Sequence, residues 1–362
     1  MKAAVFHRPY EPVPIQEVSV DEPAEREVLV HTVASGVCHS DLHLVDGQAG
    51  RYQPPLILGH EGAGIVKAVG RDITTVKAGD HVVGCLSGFC GACEQCLSGH
   101  PNLCVGGFVS RPASAPPRFS LDGQPLSQFG GVGSYAEEML MHENSIVKIT
   151  ADIPLDRAAL VGCGVLTGVG AALRTSGLQA GQTVAVFGCG GVGLSIIQGA
   201  RIGGARQIIA VDQFDSKLEM AKQMGATHTV NSTKEDAVGA VRALANGAGV
   251  DHAFEAVGNK TLVRQAVESL AIRGTATIVG VLPLDETIEF PWLALRPECK
   301  VQTSRMGSNQ FRKDIPTYLE FYRQGRLQLD DMISRRAGLE DLNDAFRAMK
   351  AGEVARTVLM FE

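Results

Sequence analysis

The residues best suited to chemistry are four cysteines in a glycine-rich loop. They lie within fifteen residues of one another, at Cys90, Cys93, Cys96 and Cys104. Four thiolates at these short spacings can form a tetrahedral shell around Zn²⁺, with Zn–S bonds of about 2.3 Å. Four protein ligands leave no open coordination position on the metal. The spacing therefore predicts a structural zinc site in a lobe that spans residues 88–105.

A second group of metal-binding side chains is spread along the chain. Its members are Cys38, His60 and Cys163, and each is flanked by small residues, chiefly glycine. One histidine and two cysteines form a ligand set that leaves a fourth zinc position open for water or substrate, as a catalytic site requires. Asp41 and Glu61 lie close enough in sequence to orient these ligands through their carboxylates. These residues are therefore candidate ligands of a catalytic zinc, which their spacing along the chain does not by itself establish.

A glycine-rich motif follows a short apolar segment, residues 183–188. The motif runs Gly188-Cys189-Gly190-Gly191-Val192-Gly193, and a helical pattern continues from it. This G-x-G-x-x-G spacing predicts a dinucleotide-binding turn, whose glycines let a pyrophosphate approach the amides at the helix N-terminus. A second apolar segment ends at Asp212, whose carboxylate would accept hydrogen bonds from ribose hydroxyls and repel a 2′-phosphate. NAD is therefore predicted rather than NADP.

Composition argues against several classes of protein. The chain has 362 residues, a formal net charge of −6 and nine cysteines. A negative net charge without a basic stripe argues against nucleic acid as a partner. Glycines and charges interrupt every apolar run before it reaches the length of a membrane span. Nine cysteines without a signal peptide are typical of a reducing compartment, so a cytoplasmic location is predicted.

The pattern of secondary structure changes along the chain. Residues 1–150 contain short β-branched segments bounded by Gly, Pro and Asp, which are typical of strands and turns. Within them, residues 105–134 are rich in Pro, Ser and Gly and predict a long irregular loop. From about residue 155, strands and helices alternate as in a doubly wound parallel sheet. The part from about residue 306 is predicted to return to the first domain.

Together these motifs resemble those of the zinc-dependent medium-chain alcohol dehydrogenases of the two-zinc type. The resemblance covers essentially the whole length and rests on six segments in the family's order: GVCHSDLH, GHEGAG, the four-cysteine lobe, VGCGVLTG, GCGGVG with Asp212, and GEVARTVL. It implies an α/β fold with a β-rich, GroES-like catalytic domain and a Rossmann domain built on a doubly wound parallel sheet. The catalytic domain would comprise residues 1–160 and 306–362, and the Rossmann domain residues 161–305.

The resemblance also implies roles around the catalytic zinc, which the two cysteines and the histidine named above would hold. Glu61 is similar to a carboxylate that approaches the metal as ligands exchange. Asp41 resembles the partner of the histidine ligand. Ser40 resembles the hydroxyl that touches the substrate oxygen, and His43 resembles the outer member of a proton relay.

Further positions resemble the family's cofactor contacts. His39 stands where relatives have a basic residue near the pyrophosphate, and Arg356 resembles a second pyrophosphate contact. Lys217 matches a lysine near the adenosine ribose. The remaining contacts would come from the glycine motif and from valines that line the nicotinamide: Gly188, Gly190, Gly191, Val192, Gly193, Val257, Val279 and Val281.

The chemistry that follows is the reversible oxidation of an alcohol to an aldehyde or ketone. Zinc lowers the pKa of a bound alcohol, and the resulting alkoxide transfers hydride to the nicotinamide. Ser40 and His43 pass the proton to solvent. Two alternatives remain open. One is a reductase of another carbonyl or of a thiol-adduct substrate on the same fold, and the other is a non-enzymatic binding protein.

The long loop of residues 105–134 bears on substrate and assembly. It resembles the extended substrate-side loop of larger relatives, which favours a homodimer, with a tetramer as the alternative. Its apolar residues, with Leu86, are predicted to line a pocket for a primary aromatic, allylic or medium-chain alcohol: Phe108, Val109, Phe119 and Leu121. Arg111 and Arg118 in the same loop offer the alternative of an anionic group or a thiol adduct.

Overall fold

The structure, a computed structural model, describes residues 1–48, 52–106, 110–112 and 114–362. Its strands are β1 (Lys2–Phe6), β2 (Ile15–Glu17), β3 (Ser19–Val20), β4 (Glu27–Gly36), β5 (Leu56–Ile57), β6 (Gly62–Val69), β7 (His81–Gly84), β8 (Phe119–Leu121), β9 (Gln124–Gln128), β10 (Glu138–His142), β11 (Ile146–Lys148), β12 (Thr183–Phe187), β13 (Gln207–Asp212), β14 (His228–Asn231), β15 (Val250–Glu255), β16 (Leu270–Ile278), β17 (Lys300–Thr303), β18 (Ile333–Ala337) and β19 (Arg356–Met360). Its α-helices are α1 (His39–Val45), α2 (Glu94–Leu97), α3 (Leu155–Leu160), α4 (Gly164–Gly170), α5 (Gly191–Ile202), α6 (Asp215–Met224), α7 (Ala237–Leu244), α8 (Lys260–Glu268), α9 (Phe311–Arg323) and α10 (Leu342–Lys350). Within the described ranges, no helix has the length and apolar character needed to cross a bilayer.

The chain divides into two compact units. The first unit has three segments: Met1–Cys163, Gln310–Gln324 and Leu329–Glu362. The second unit has two segments: Gly164–Asn309 and Gly325–Gln328.

Three short segments depart from the predicted domain boundaries. Residues 161–163 belong to the first unit, although the predicted Rossmann domain includes them. Residues 306–309 and 325–328 belong to the second unit, although the predicted catalytic domain includes them. Side-chain hydrogen bonds explain the difference. The Gln198 carboxamide exchanges hydrogen bonds of 3.0 and 2.7 Å with the backbone of Gln328. The Thr167 hydroxyl lies 3.5 Å from the Met306 sulphur. Such contacts link residues distant in sequence, so composition does not reveal them.

The first unit is rich in β-structure and contains two sheets. Their strand orders are β2-β1-β5-β9-β8-β3 and β11-β7-β6-β4-β19-β18, and β10 also pairs with β4. Separate clusters of buried apolar side chains pack within this unit. The apolar residues of its short strands supply most of these clusters, as the β-branched segments predict.

Strand β4 positions the functional residues of the first unit. Its sequence EVLVHTVASG is buried along almost its whole length, as expected of a strand in the interior of a sheet. In the pairing of β4 with β6, Ser35 lies opposite Gly62. In the pairing of β4 with β19, Gly36 lies opposite Val358. The segments that follow β4 and precede β6 therefore meet at one edge of the sheet.

The second unit contains a parallel sheet of six strands in the order β14-β13-β12-β15-β16-β17. Every residue of the central strand β12, TVAVF, is buried. The chain order reverses between β12 and β15, and open α/β sheets bind ligands outside the carboxyl ends of strands at such a switch point. The predicted doubly wound fold is confirmed.

The prediction of an irregular loop over residues 105–134 is wrong for its second half. Strands β8 and β9 form a hairpin there, joined by Asp122 and Gly123. Both residues have positive φ, 50° and 76°, as the two-residue type I′ turn requires, and Asp-Gly is a preferred sequence for that turn. The same dipeptide in the sequence was therefore an available hairpin signal.

The hairpin also changes which residues of the long loop are candidates to line the substrate pocket. Phe119 is fully buried in an apolar core, and Leu121 packs against the same core. The Phe119 side chain therefore packs in this core and does not line a substrate pocket. Phe108 and Val109 lie outside the described residues. Leu86 stays a candidate, because a Cβ added to Gly130 would contact both Leu86 and His60.

Candidate active site and metal centres

The four cysteines of the lobe lie on the short helix α2 and in the turns beside it. Their Sγ atoms all lie within 4.8 Å of one another. The Sγ atom of Cys93 lies 3.5 Å from that of Cys96 and 3.8 Å from that of Cys104. Tetrahedral zinc with Zn–S bonds of about 2.3 Å requires sulphurs about 3.8 Å apart. The four side chains therefore fit a closed, structural zinc site.

Backbone amides favour the thiolate form of this cluster. The N–H groups of Ala92 and Cys93 donate to Cys90 Sγ at 3.4 and 3.3 Å. Hydrogen bonds from the amides of Cys96 and Val105 lower the pKa of the Cys93 thiol to about 6. Thiolate is the form that binds zinc, so the loop backbone prepares Cys90 and Cys93 for the metal, whereas burial raises the pKa of Cys96 to about 12.

A second cluster consists of Cys38, His60, Glu61 and Cys163. All four side chains are buried, and their ligand atoms lie within 4.8 Å of one another. Cys38 follows β4, whereas His60 and Glu61 precede β6, so the pairing of these strands brings them together. Cys163 follows helix α3, which packs against β4 and β6. The structure thus joins ligands that are far apart in sequence.

The chemistry of this donor set fits zinc. His60 is fully buried, and its Nε2 forms no hydrogen bond with any residue that the structure describes. A buried polar atom without a partner costs about 1–3 kcal/mol, and coordination to a metal would remove that cost. A hydrogen bond with the Cys163 thiol is the main cause that holds the pKa of Cys38 well below its ordinary value. Two cysteine thiols and one imidazole therefore lie close together, and the Nε2 atom of this imidazole has no hydrogen bond among the described residues.

Asp41 orients the histidine. Its carboxylate lies 3.0 Å from His60 Nδ1 and accepts the Gly59 N–H at 2.7 Å. A carboxylate at Nδ1 fixes the ring orientation and leaves Nε2 for the metal.

Tyr135 also belongs to the site, although no sequence motif indicates it. Its side chain is fully buried, and its hydroxyl donates to Asp41 Oδ2 at 3.0 Å and accepts the Cys38 N–H at 3.3 Å. Burial, and then the charge of Asp41, raise the pKa of Tyr135 well above its ordinary value, so the hydroxyl stays protonated. Its partners lie 94 and 97 residues away, so no local motif marks it.

Glu61 forms an ion pair with Arg356, and both side chains are buried. A Cβ at Gly36 would overlap the Glu61 carboxylate and crowd the Arg356 guanidinium, so glycine is needed at this position. Arg356 was predicted from the family resemblance as a pyrophosphate contact. The structure places its guanidinium against the carboxylate beside the metal cluster, 295 residues away in sequence.

The predicted relay residues lie on helix α1, directly after Cys38. Ser40 Oγ lies 3.8 Å from Cys38 Sγ, which places the hydroxyl beside the metal ligands. His43 is half-buried, and its Nδ1 lies 2.8 Å from Oε1 of the exposed Gln48. His39 is exposed, and its ring centroid lies 6.4 Å from that of His43. A relay that ends at His43 therefore reaches solvent.

The glycine motif forms the turn between β12 and α5. Gly188 has a φ of 95°, and a Cβ at Gly193 would overlap the Gly188 carbonyl oxygen, so both positions require glycine. No side chain caps the start of α5 at Gly190. Val192 is half-buried in the first turn. The turn leaves the first amides of the helix to an anionic group, as a pyrophosphate site requires.

Asp212 ends β13 beside this turn. Its carboxylate accepts the Cys189 N–H at 2.8 Å and the Phe214 N–H at 3.1 Å, so its position is fixed relative to the glycine motif. Lys217 lies in the first turn of α6, with Nζ 5.0 Å from the centroid of the Phe214 ring. The structure thus brings Asp212 to the glycine turn, as the motif predicts.

The three valines predicted near the nicotinamide follow strands β15 and β16. Val257 and Val281 are 52% and 61% exposed, and the Val279 N–H donates to the Glu255 carbonyl. Glu255 is buried and was not identified from the sequence. Its carboxylate accepts the N–H groups of Val257 and Gly258 at 2.9 and 2.7 Å. This carboxylate holds the loop that presents Val257.

The two arginines of the long loop bind Glu27. Arg111 contacts the Glu27 carboxylate at 2.6 Å and also pairs with Asp21, and Arg118 contacts Glu27 at 2.7 Å. Burial raises the pKa of Glu27, but hydrogen bonds from Arg111 and Arg118 outweigh it and hold the pKa below its ordinary value. Both guanidinium groups are committed to this pairing, so the alternative of an anionic substrate contact is not supported.

Known proteins resemble this chain along its whole length. Residues 24–151 match the alcohol dehydrogenase GroES-like domain family, and residues 191–324 match the zinc-binding dehydrogenase family. The S-(hydroxymethyl)glutathione dehydrogenase of Haemophilus influenzae is 38% identical over 99% of this chain and 97% of its own length. The chain belongs to the zinc-dependent medium-chain alcohol dehydrogenases. As a member of this family it is an oxidoreductase that uses NAD and zinc, and its two clusters fit two zinc ions.

Solved structures of this family share its fold. The alcohol dehydrogenase zinc-binding domain protein of Burkholderia ambifaria has a TM-score of 0.94 and 35% identity, and the match covers 100% of this chain and 98% of that one. The benzyl alcohol dehydrogenase of Acinetobacter calcoaceticus has a TM-score of 0.92 and 32% identity, covering 100% and 99%.

Proposed function

We propose that this alcohol dehydrogenase oxidises a primary alcohol with an aromatic, allylic or medium-length apolar group, and reduces the aldehyde in the reverse direction. The observation that carries the proposal is the convergence of Cys38, His60 and Cys163 in a buried cluster beside the Ser40 hydroxyl. The similarity to a benzyl alcohol dehydrogenase supports the aromatic class.

The residues of the site have two separate roles, metal binding and proton transfer. Cys38, His60 and Cys163 would hold zinc, which supplies a Lewis acid to the substrate oxygen when bound. Ser40 accepts the proton of the substrate hydroxyl while its own proton moves towards His43. His43 follows Ser40 by three residues on α1, so the two share a face of that helix. The imidazole releases the proton to solvent near Gln48.

Asp212 supports NAD over NADP. Its carboxylate is fixed beside the glycine turn by two backbone amides, where it would bond to the adenosine ribose. A phosphate at the 2′ position would meet a negative charge there.

A second candidate substrate is a thiol adduct, favoured by the similarity to an S-(hydroxymethyl)glutathione dehydrogenase. Glutathione carries carboxylates that need cationic partners. Arg111 and Arg118 are held by Glu27, so these two residues do not supply them. The pairing of both arginines therefore favours the apolar alcohol.

The test is the rate of NADH formation with primary, secondary, benzylic and allylic alcohols and with S-(hydroxymethyl)glutathione. Zinc is quantified on the same sample, and NADP is compared with NAD. We expect turnover with benzylic or allylic primary alcohols, two zinc ions per chain and preference for NAD. Turnover with the glutathione adduct alone would replace the apolar alcohol with the second candidate. Equal rates with NADP and NAD would show that Asp212 does not select the cofactor.

Replacing Ser40 by alanine is expected to lower kcat about 10²-fold or more, because the substrate proton loses its acceptor. Zinc content and NADH affinity are expected to stay unchanged. The matched control is Ser40→Thr, which keeps a hydroxyl and is expected to retain most of the turnover. Wild-type kcat in Ser40→Ala would show that the relay does not pass through this residue.

We infer that the enzyme forms a homodimer through strand β17. Among the described residues this strand lies at one edge of the parallel sheet, and an edge strand can pair with a second copy. In the segment that precedes β17 in the chain, Trp292 and Leu293 are 81% and 85% exposed, and burial of such side chains stabilises a subunit contact.

Light scattering is expected to give the mass of two chains, and Trp292→Lys is expected to shift the mass towards that of one chain. A tetramer would require a second interface.

We also infer a reducing compartment, the cytoplasm. None of the nine cysteines, all of which lie in the described ranges, forms a disulfide bond, and six of them belong to the two metal clusters. Oxidation of these thiols would remove the zinc ligands, so both sites need reducing conditions.

A further inference from the structure

The hydroxyl of Tyr135 is a polar group placed inside an apolar core. The side chain is fully buried, and its ring packs among residues that include Leu58, Phe129 and Phe346. Burying a hydroxyl among such residues is unfavourable unless hydrogen bonds compensate it. The Tyr135 hydroxyl therefore requires hydrogen-bond partners within the core.

Three groups surround this hydroxyl. It lies 3.0 Å from Asp41 Oδ2, 3.3 Å from the Gly36 carbonyl and 3.3 Å from the Cys38 N–H. A tyrosine hydroxyl has one proton. That proton goes to Asp41, because the carboxylate is the closer and the charged acceptor. The oxygen then accepts the Cys38 N–H, so the hydroxyl joins a cysteine ligand to the carboxylate behind the histidine ligand.

The bonds of Asp41 complete this network. Its Oδ1 accepts the Gly59 N–H at 2.7 Å, and its Oδ2 lies 3.0 Å from both His60 Nδ1 and the Tyr135 hydroxyl. The Tyr135 backbone is fixed as well, since its N–H donates to the Leu58 carbonyl at 2.9 Å. The carboxylate therefore cannot rotate away from His60 without breaking a bond to Tyr135 or Gly59.

We propose that Tyr135 is a positioning residue of the catalytic zinc site, which acts through Asp41 on His60 and through a backbone amide on Cys38. The proposal rests on the proposed zinc site and adds to it a residue that touches neither metal nor substrate. A single hydroxyl oxygen would thus help to fix the positions of two zinc ligands, His60 and Cys38.

The test is Tyr135→Phe, which removes that oxygen and keeps the ring. Loss of a partner behind a metal ligand weakens metal binding about 10- to 100-fold. We expect zinc to leave the catalytic cluster about tenfold faster in the presence of a chelator, while release from the four-cysteine lobe stays unchanged. With cobalt in the catalytic cluster, the visible absorption bands are expected to shift, because the geometry of the ligands changes.

A double-mutant cycle separates positioning through Asp41 from general loss of stability. Asp41→Asn keeps the size of the side chain and removes its charge. If Tyr135 acts through Asp41, the double variant releases zinc little faster than Asp41→Asn alone. The matched control is Tyr318→Phe, which removes the hydroxyl of another buried tyrosine, in helix α9. It is expected to leave both zinc release and the cobalt spectrum as in the unmodified enzyme.

Two results would overturn the proposal. One is unchanged zinc release and an unchanged cobalt spectrum in Tyr135→Phe. The other is a double variant whose effects are the product of the two single ones. A different result bears on the zinc site itself: if the unmodified protein binds zinc in the four-cysteine lobe alone, the proposed catalytic centre fails before Tyr135 is tested.

Discussion

Replacing His60 by alanine is expected to lower kcat/KM for alcohol oxidation about 10³- to 10⁵-fold. His60 supplies one of three ligands, and its Nε2 is the buried nitrogen that has no other partner in the described part of the chain. Without it the Lewis acid is lost from the substrate position, and such an acid contributes several kcal/mol to the transition state. Asp41 would also lose the imidazole that it faces at 3.0 Å. Steady-state rates of NADH formation measure the effect.

Zinc content and cofactor binding check the cause of that loss. We expect zinc to fall from two ions per chain to one, and NADH affinity to remain, because the glycine turn belongs to the second unit. The matched control is His81→Ala, which removes a half-buried histidine in strand β7 that belongs to neither cluster. If His60→Ala kept two zinc ions and a tenth of the activity, His60 would not be a zinc ligand.

Replacing Arg356 by leucine is expected to destabilise the first unit by about 3–5 kcal/mol, because it leaves the buried Glu61 carboxylate without its counter-ion. For a unit of this size, that loss lowers the Tm by about 10 °C. Calorimetry of the zinc-loaded protein measures it. Binding of NADH to the same variant shows whether Arg356 also contacts the pyrophosphate, as the family resemblance implies.

Two further variants identify the ion pair as the cause. Glu61→Gln combined with Arg356→Leu removes both charges and is expected to recover most of the lost stability. Arg347→Leu removes an exposed arginine that pairs with Asp344 and Glu353, and it is expected to change stability by less than about 1 kcal/mol. If Arg356→Leu had no larger effect than Arg347→Leu, the buried pair would not stabilise the unit.

The sequence predicted most reliably the features in which neighbouring residues act together. The four cysteines of the lobe lie within fifteen residues, so their spacing alone indicates a closed shell of zinc ligands. The glycine motif is also local, because Gly188 and Gly193 serve one turn and one helix start. Asp212 could be assigned to that turn because only one helix and one strand, α5 and β13, separate the two in the chain. In each case short-range geometry limits the possible arrangements.

Features that depend on register between distant strands could not be predicted from composition or spacing. The pairing of Ser35 with Gly62 brings Cys38 to His60, and only the resemblance to a family indicated that meeting. Tyr135 and Glu255 carry no motif, since each is defined by the groups around it. The sequence alone leaves a substrate contact open as an alternative for Arg111 and Arg118, because their partner Glu27 lies 84 and 91 residues earlier.

Strand β19 lies inside a sheet of the first unit, between β4 and β18, and it carries Arg356. A ribosome makes these residues after all the other strands, and after the whole of the second unit. Until they emerge from the ribosome, β4 lacks β19 as one of its neighbouring strands, and Glu61 lacks the Arg356 guanidinium. The four-cysteine lobe is complete once Cys104 has been made, so it can take up zinc while the chain is still growing. The ligands of the lobe are complete at Cys104 and those of the catalytic cluster at Cys163, whereas the strand that carries Arg356 is made later than both.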